Sequence, residues 1–290
     1  HTDNRRQRQM CIRDRVHGIH KQVWDPDLVD IIMIRENTEG LYHSLLRRME
    51  QRALGKKDEP IVIDEFPGLE GEVAWDPRPI SRSGSERVIR FAFDYAKVRQ
   101  RKSGKPQSVT CVDKSNVTRG CQLFRKIFRE FADSNQDIPV KEAYIDDFTM
   151  WLVRNPEDLD VVVLPNMFGD IATDLASVLQ GGMGMSASAN MGPKHMLFEP
   201  VHGSAPKHAG KNIVNPIAMI QSVQMMFEAL GFRKKDETLD ICAEILQNAI
   251  RSHFEEGAPV TYDLGGTAST SDVGEAIASR CESMLKERFP

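Results

Sequence analysis

Short, continuous apolar runs alternate along this chain with longer stretches in which apolar residues recur at helical spacing. Three runs are of the first kind: Asp30-Ile31-Ile32-Met33-Ile34, Ser108-Val109-Thr110-Cys111-Val112-Asp113 and Asp160-Val161-Val162-Val163-Leu164-Pro165. They are rich in β-branched residues and bounded by charged or proline positions, which predicts buried strands. The second kind includes SERVIRFAFDYAKV from Ser85, a plausible N-cap, and RGCQLFRKIFREFA from Arg119. DFTMWLVRNP is stopped by Pro156, and GDIATDLASVL is ended by Gly181-Gly182. NPIAMIQSVQMMFEALG and TLDICAEILQNAIRSHFEE add two more helices. Strands alternating with helices indicate an α/β fold. Residues from about 43 to 79 are polar and punctuated by Gly and Pro, an excursion from the main core. No internal repeat is present.

Composition narrows the class only slightly. A net charge of −4 and a pI near 6.1 argue against a nucleic-acid or membrane-surface protein. No apolar run reaches the roughly 20 residues of a membrane span. No signal peptide is visible, so a cytoplasmic location is expected. The five cysteines are odd in number and irregular in spacing, which favours free thiols in a reducing compartment. The first fifteen residues carry five Arg and no usable periodicity. They read as a disordered or non-native basic segment, and are set aside.

The chemistry sits where the strands end. Val161–Leu164 leads through Pro165-Asn166 to Asp170 and Asp174, four residues apart and therefore on one helix face. Two adjacent carboxylates repel, and a hard divalent cation turns that repulsion into binding. An isolated pair of this kind is as readily a solvated helix face. Arg35 follows one apolar run, with Tyr42 seven residues later; Asp113-Lys114-Ser115-Asn116 follows SVTCV, and Asp146-Asp147 follow Ala143-Tyr144-Ile145. Polar groups at strand ends of an α/β sheet are where ligand sites form. Each also has a plain structural reading, Arg35 for instance as the partner of a glutamate. FEPVHGSAPKHAGKNIVNP, from Phe198 to Pro216, offers small residues with accessible backbone N–H groups and two cations, Lys207 and His208. No GxGxxG opens the chain, and QGGMGM at 180–185 follows a helix with its glycines at the wrong spacing.

Five strings in order, IRENTEGLY (34–42), DKSNV (113–117), YIDDFTMWLV (144–153), PNMFGDIATDLASVLQGGMG (165–184) and FEPVHGSAPKHAGKNIVNP (198–216), resemble the β-decarboxylating dehydrogenases of isocitrate, 3-isopropylmalate, homoisocitrate and tartrate. The resemblance runs from about Asp30 to the C-terminus. It implies the isocitrate/isopropylmalate dehydrogenase-like α/β fold: a three-layer large domain, incomplete here, and a smaller α/β domain with a dimer clasp. It implies NAD(P)-dependent, metal-dependent oxidative decarboxylation of a 3-substituted malate in a homodimer with shared active sites. Asp170 and Asp174 match ligands of Mg²⁺ or Mn²⁺, and Asp146 a third ligand given by the partner subunit. Arg35 matches a substrate-carboxylate ligand, for which a guanidinium is suited, and Asn116 a residue near substrate and nicotinamide. Tyr42 matches the general acid, and Lys114 the group that takes the hydroxyl proton, again across the dimer. The cofactor loop matches at Glu199, His202, Gly203, Ser204, Ala205, Pro206, Lys207, His208 and Asn215, with Tyr262 further on; this loop replaces the glycine fingerprint.

Relatives carry about a hundred residues ahead of the RENTEG-like segment, for which only 17–30 could stand here, so the chain is expected to be N-terminally truncated. The expected organisation is a foreign or disordered 1–16, a remnant over 17–42, a clasp-like excursion over 43–80, a small dimerisation domain over 81–180, and a large-domain part with the cofactor loop over 181–290. RENTEGLY looks more like the isocitrate and homoisocitrate branch than the isopropylmalate one. A tartrate or D-malate enzyme would use the same residues. A non-catalytic regulatory subunit would lack the Tyr, Lys or metal aspartates, and all are filled. Lys207, Val214 and Tyr262 resemble the NADP pattern, a cation being what a 2′-phosphate requires. Gly266 stands where NADP-specific relatives offer arginine. The pattern leans to NADP over NAD.

Overall fold

The computed structural model describes residues 29–42, 54–55, 76–104 and 107–289. The basic segment 1–16, residues 17–28 and most of the 43–80 excursion lie outside the described residues. The chain divides into two compact units, Val29–Thr173 and the chain from Asp174 onward.

The first unit is built on four parallel strands, β1 (Ile32–Arg35), β2 (Val109–Asp113), β3 (Val140–Tyr144) and β4 (Val161–Leu164), in the order β1-β4-β2-β3. Val161 is in register with Ile32 on one side and Val109 on the other, so β4 is central. Its VVVL run contains no polar residue because all four positions are buried. Parallel neighbours need crossovers. These are α1 (Arg82–Ser103), α2 (Arg119–Asp133) and α3 (Ile145–Arg154), while α4 (Asn166–Ser177) leaves β4. On one face of the sheet Ile34, Val109, Cys111, Val161 and Val163 pack against Val88, Ile89, Ala92, Phe93 and Ala96 of α1 and Phe124, Ile127 and Phe128 of α2. The Phe93 and Phe128 rings lie 5.6 Å apart, and each such burial stabilises by about 1.5–3 kcal/mol. The alternate residues Val112, Val162 and Leu164 point to the opposite face and are equally buried. In this arrangement the carboxyl ends of all four strands point the same way, and the predicted polar groups follow from them.

Helix α1 begins three residues before Ser85. Ser81 is its N-cap, accepting from Gly84 N–H, while buried Ser85 donates its hydroxyl to Ser81 O at 2.7 Å. The apolar periodicity starts only at Val88, so the polar first turn was invisible to it. Asp146 and Asp147 lie in the first turn of α3, where carboxylates complement the helix dipole.

The second unit holds an antiparallel hairpin, β5 (Ala187–Met191) with β6 (Met196–Pro200), and helices α5 (Ile217–Lys234), α6 (Glu237–Glu255) and α7 (Thr270–Arg288). Met185, Ile217, Ala249, Ile250, Phe254, Val273 and Ile277 form its core. Helix α7 buries little apolar surface beyond Val273 and Ile277; its signal is the capping box of Ser269 with Asp272. Among the described residues Cys111, Cys121, Cys242 and Cys281 are free thiols, and no helix is long and apolar enough to cross a membrane.

His253, fully buried on α6, donates from Nε2 to Pro259 O at 3.1 Å, and among the described residues its Nδ1 is buried without a partner. Burial first, and then the charge of Arg280, hold its pKa below the ordinary 6.5. The unfolded chain therefore takes up a proton near pH 6.5 that the folded chain refuses. The stability His253 contributes is complete above that pH and is lost as pH falls toward the folded pKa. Urea denaturation between neutral and mildly acid pH should show this slope, and His253→Gln, which keeps the donor to Pro259 but does not titrate, should flatten it.

Candidate active site

At the end of β1, the Arg35 guanidinium is held from α4. Nε and Nη2 donate to Asn166 Oδ1 at 3.0 and 2.7 Å, and Nη1 to Asp170 Oδ1 at 2.5 Å. The Tyr42 hydroxyl donates to the other oxygen of Asp170 at 2.7 Å, and its ring lies 5.5 Å from the guanidinium carbon. Arg35 is thus paired with a carboxylate, but an aspartate on α4 rather than a glutamate beside it. Among the described residues three of its five N–H groups are engaged, which leaves one on each terminal nitrogen.

The RENTEG segment is shaped by its glutamates. Buried Glu36 accepts from Thr38 N, Thr38 Oγ1 and Glu39 N, and from Arg87 of α1 at 2.8 Å. Glu39 accepts from Ser81 N at the N-terminus of α1, while its own carbonyl takes Asn166 Nδ2 at 2.7 Å. Gly169 is required by this packing: a Cβ there would lie 2.6 Å from Arg35 Cγ and 2.8 Å from its Cβ.

A second cluster forms across the ends of β2 and β3. Lys114 makes a very short ion pair with Asp146, and the ammonium first, then the backbone N–H of Asp146 itself, hold that carboxyl below its ordinary 3.8. Asn116 is exposed in the turn that follows. Just before Lys114, Asp113 is fully buried and bridged by Arg125 through two bonds of 2.9 Å.

Asp174 lies one turn beyond Asp170 and is exposed. Among the described residues no group of three or more His, Cys, Asp or Glu side chains could hold a metal by itself. Within one chain, Asp146 is joined to Lys114 and not to Asp170. The donor types still fit Mg²⁺ or Mn²⁺: two carboxylates on one helix face supply hard oxygens, and the Asp170 side chain remains 44% exposed despite Arg35.

In the second unit, residues 202–207 are exposed, with Ala205 in the left-handed region and open space around Gly203, Ser204 lying between them. Pro206–His208 forms a short 3₁₀ turn, and the His208 ring stacks on Tyr262 at 6.0 Å. Among the described residues His208 Nδ1 is buried without a partner, an orphan a ligand group would satisfy. Glu199 is exposed on β6, accepting from Asn190 at 2.9 Å. Asn215 is buried and fully used inside the protein, donating to Asp263 at 3.0 Å and accepting from Ile217 N. Gly266 lies so close to Val260 O that a Cβ would fall 1.9 Å from it, so this backbone admits no arginine there.

The family model described as isocitrate/isopropylmalate dehydrogenase matches residues 11–277. The chain belongs to this family. It is 40% identical over 259 residues to a homoisocitrate dehydrogenase of Methanocaldococcus jannaschii, covering 89% of this chain and 65% of that protein. It is also 40% identical to a 3-isopropylmalate dehydrogenase of Methanothermobacter thermautotrophicus, covering 89% and 68%. The crystal structure of isocitrate dehydrogenase from Methylococcus capsulatus matches with a TM-score of 0.71 and 38% identity, covering 87% of this chain and 67% of that one. The fold is therefore the family's α/β fold, and the chain spans about two thirds of its relatives' length.

Sequence reading alone passed over Asn166, Glu36, Glu39 and Gly169, which fix the Arg35 cluster without carrying a chemical signature of their own. Gly169→Ala should force the Arg35 stem off α4 and cost about 1–3 kcal/mol, as overpacking does. Chemical denaturation measures that loss; an unchanged midpoint would mean that the Arg35 stem moves freely.

Proposed function

We propose that the full-length protein carrying this sequence oxidatively decarboxylates a 3-substituted malate with NAD(P). The observation that carries the reading is the gathering of Arg35 and Tyr42 on Asp170, beside a separate Lys114–Asp146 pair, at the carboxyl ends of one parallel sheet. Similarity to enzymes named for homoisocitrate, 3-isopropylmalate and isocitrate supports the substrate class.

In this reading the two remaining N–H groups of Arg35 grip a substrate carboxylate. Lys114, beside Asp146, accepts the hydroxyl proton as the hydride leaves, and Tyr42 returns a proton to carbon after CO₂ departs. Asn116 stands near substrate and nicotinamide. Asp170 and Asp174, with Asp146 of the partner subunit, would hold Mg²⁺ or Mn²⁺, which supplies Lewis acidity to the hydroxyl and its neighbouring carboxylate. The 199–208 loop with Tyr262 would hold the nucleotide that accepts the hydride. There Lys207 and His208 favour a 2′-phosphate, and hence NADP, although Gly266 adds no cation. Asn215 then acts by shaping the loop. The exposed apolar residues Met150, Trp151 and Val153 of α3, on the helix that carries Asp146, are what a second subunit would cover.

Transient kinetics separate the roles. With isocitrate, homoisocitrate or 3-isopropylmalate, whichever turns over fastest, Tyr42→Phe should keep a burst of reduced nicotinamide while slowing the steady state. Lys114→Met should abolish the burst itself. Loss of the same step in both variants would refute this division of roles.

A further inference from the structure

We propose that Arg125, with Asp113, is a positioning residue that holds Lys114 and Asp146 together. The inference rests on the role of Lys114 proposed above. Arg125 sits on α2 with its side chain only 11% exposed, and it bridges the ends of two strands. Its Nε donates to Asp113 Oδ2 at 2.9 Å, and Nη2 donates both to Asp113 Oδ1 and to Ala143 O, each at 2.9 Å. Asp113 is the last residue of β2 and Ala143 the penultimate residue of β3. One guanidinium therefore sets the spacing between the strand end that delivers Lys114 and the one that leads into Asp146.

Each side of this clamp is fixed further. Asp113 Oδ1 also takes the backbone N–H of Ser115 at 2.7 Å, so the carboxylate locks the turn around Lys114. On the other side the Tyr144 ring centre lies 4.9 Å from the Arg125 guanidinium carbon and 6.0 Å from Lys114 Nζ. The aromatic ring is a shared wall between the two cations, which keeps Lys114 turned toward Asp146. Glu142 adds an ion pair to Arg125 at 3.5 Å. The buried Asp113–Arg125 pair is an expensive way to stabilise a sheet edge, since apolar residues of the same volume often serve as well. What it gives that they cannot is a fixed distance between two polar groups.

A lysine at 125 keeps the charge but donates from a single point, so it cannot reach both Asp113 oxygens and Ala143 O together. In the full-length protein, Arg125→Lys should lower kcat roughly tenfold to a hundredfold with little change in KM, as small misplacements of reacting groups do. The primary deuterium isotope effect on kcat, with the fastest of the three substrates deuterated at the hydroxyl-bearing carbon, should rise because the oxidation step becomes slower. In single turnovers Arg125→Lys should add far less to Lys114→Met than it costs the wild type, since most of its effect passes through the placement of that lysine beside Asp146. Arg125→Gln with Asp113→Asn, which removes both charges and keeps a hydrogen bond, should reproduce the kcat loss and serves as the test should Arg125→Lys not fold. Wild-type turnover in Lys114→Met would sink the reading of Lys114, and this inference with it. If Lys114→Met is impaired as expected, an unchanged isotope effect or an additive loss in the double variant overturns the positioning role alone. Failure of both clamp variants to fold would make the pair purely structural and overturn it equally.

Discussion

The carboxylate of Asp170 ties together parts of the chain that are otherwise far apart in sequence. It accepts from Arg35 at the end of β1 and from Tyr42 beyond the RENTEG turn, and it is carried by the helix that leaves β4. Because β1 and β4 are parallel and paired in register, their carboxyl ends fall side by side, and a side chain from one can meet the helix that follows the other. Asn166 completes the hold by accepting twice from Arg35 while donating to Glu39 O. The absence of a side chain at Gly169 lets the arginine stem cross the helix. A guanidinium, a phenol hydroxyl and a carboxylate are thereby brought into one place by a single hydrogen-bonded unit.

The second pair of groups is built by the same logic on the other side of the central strand. Lys114 follows β2, Asp146 opens the helix after β3, and the strands bring them into contact. In each case a polar anchor largely withdrawn from solvent stands behind the half-buried group: Asn166 behind Arg35, Asp113 and Arg125 behind Lys114. This division suits an enzyme in which two subunits complete one another's sites, each contributing one cluster.

Much of the first unit was legible because its strands are unbroken apolar runs and its helices carry buried stripes. The start of α1 was misread because its first turn is polar, and the signal there is a cap, not a periodicity. The β5–β6 hairpin is not legible because both strands are short and only partly buried, with alanines as the apolar members of β5, and α7 is not because so few of its residues face the core. The candidate site was legible as types of residue through the five strings, but not as contacts. Arg35 and Asp170 are 135 positions apart, and nothing local marks them as partners. Arg125 lay hidden on an amphipathic helix as one basic residue among several, because the acceptor that gives it meaning lies on a neighbouring strand.

The central claim, that the Asp170 cluster of one subunit works with the Lys114 pair of another, is tested most directly by mixing two inactive full-length variants, Lys114→Met and Asp174→Asn. In each heterodimer one site would carry both defects and the other neither. Once subunit exchange is demonstrated, about a quarter of wild-type activity should return in an equal statistical mixture under two-fold symmetry. Demonstrated exchange with no return of activity would contradict the shared site.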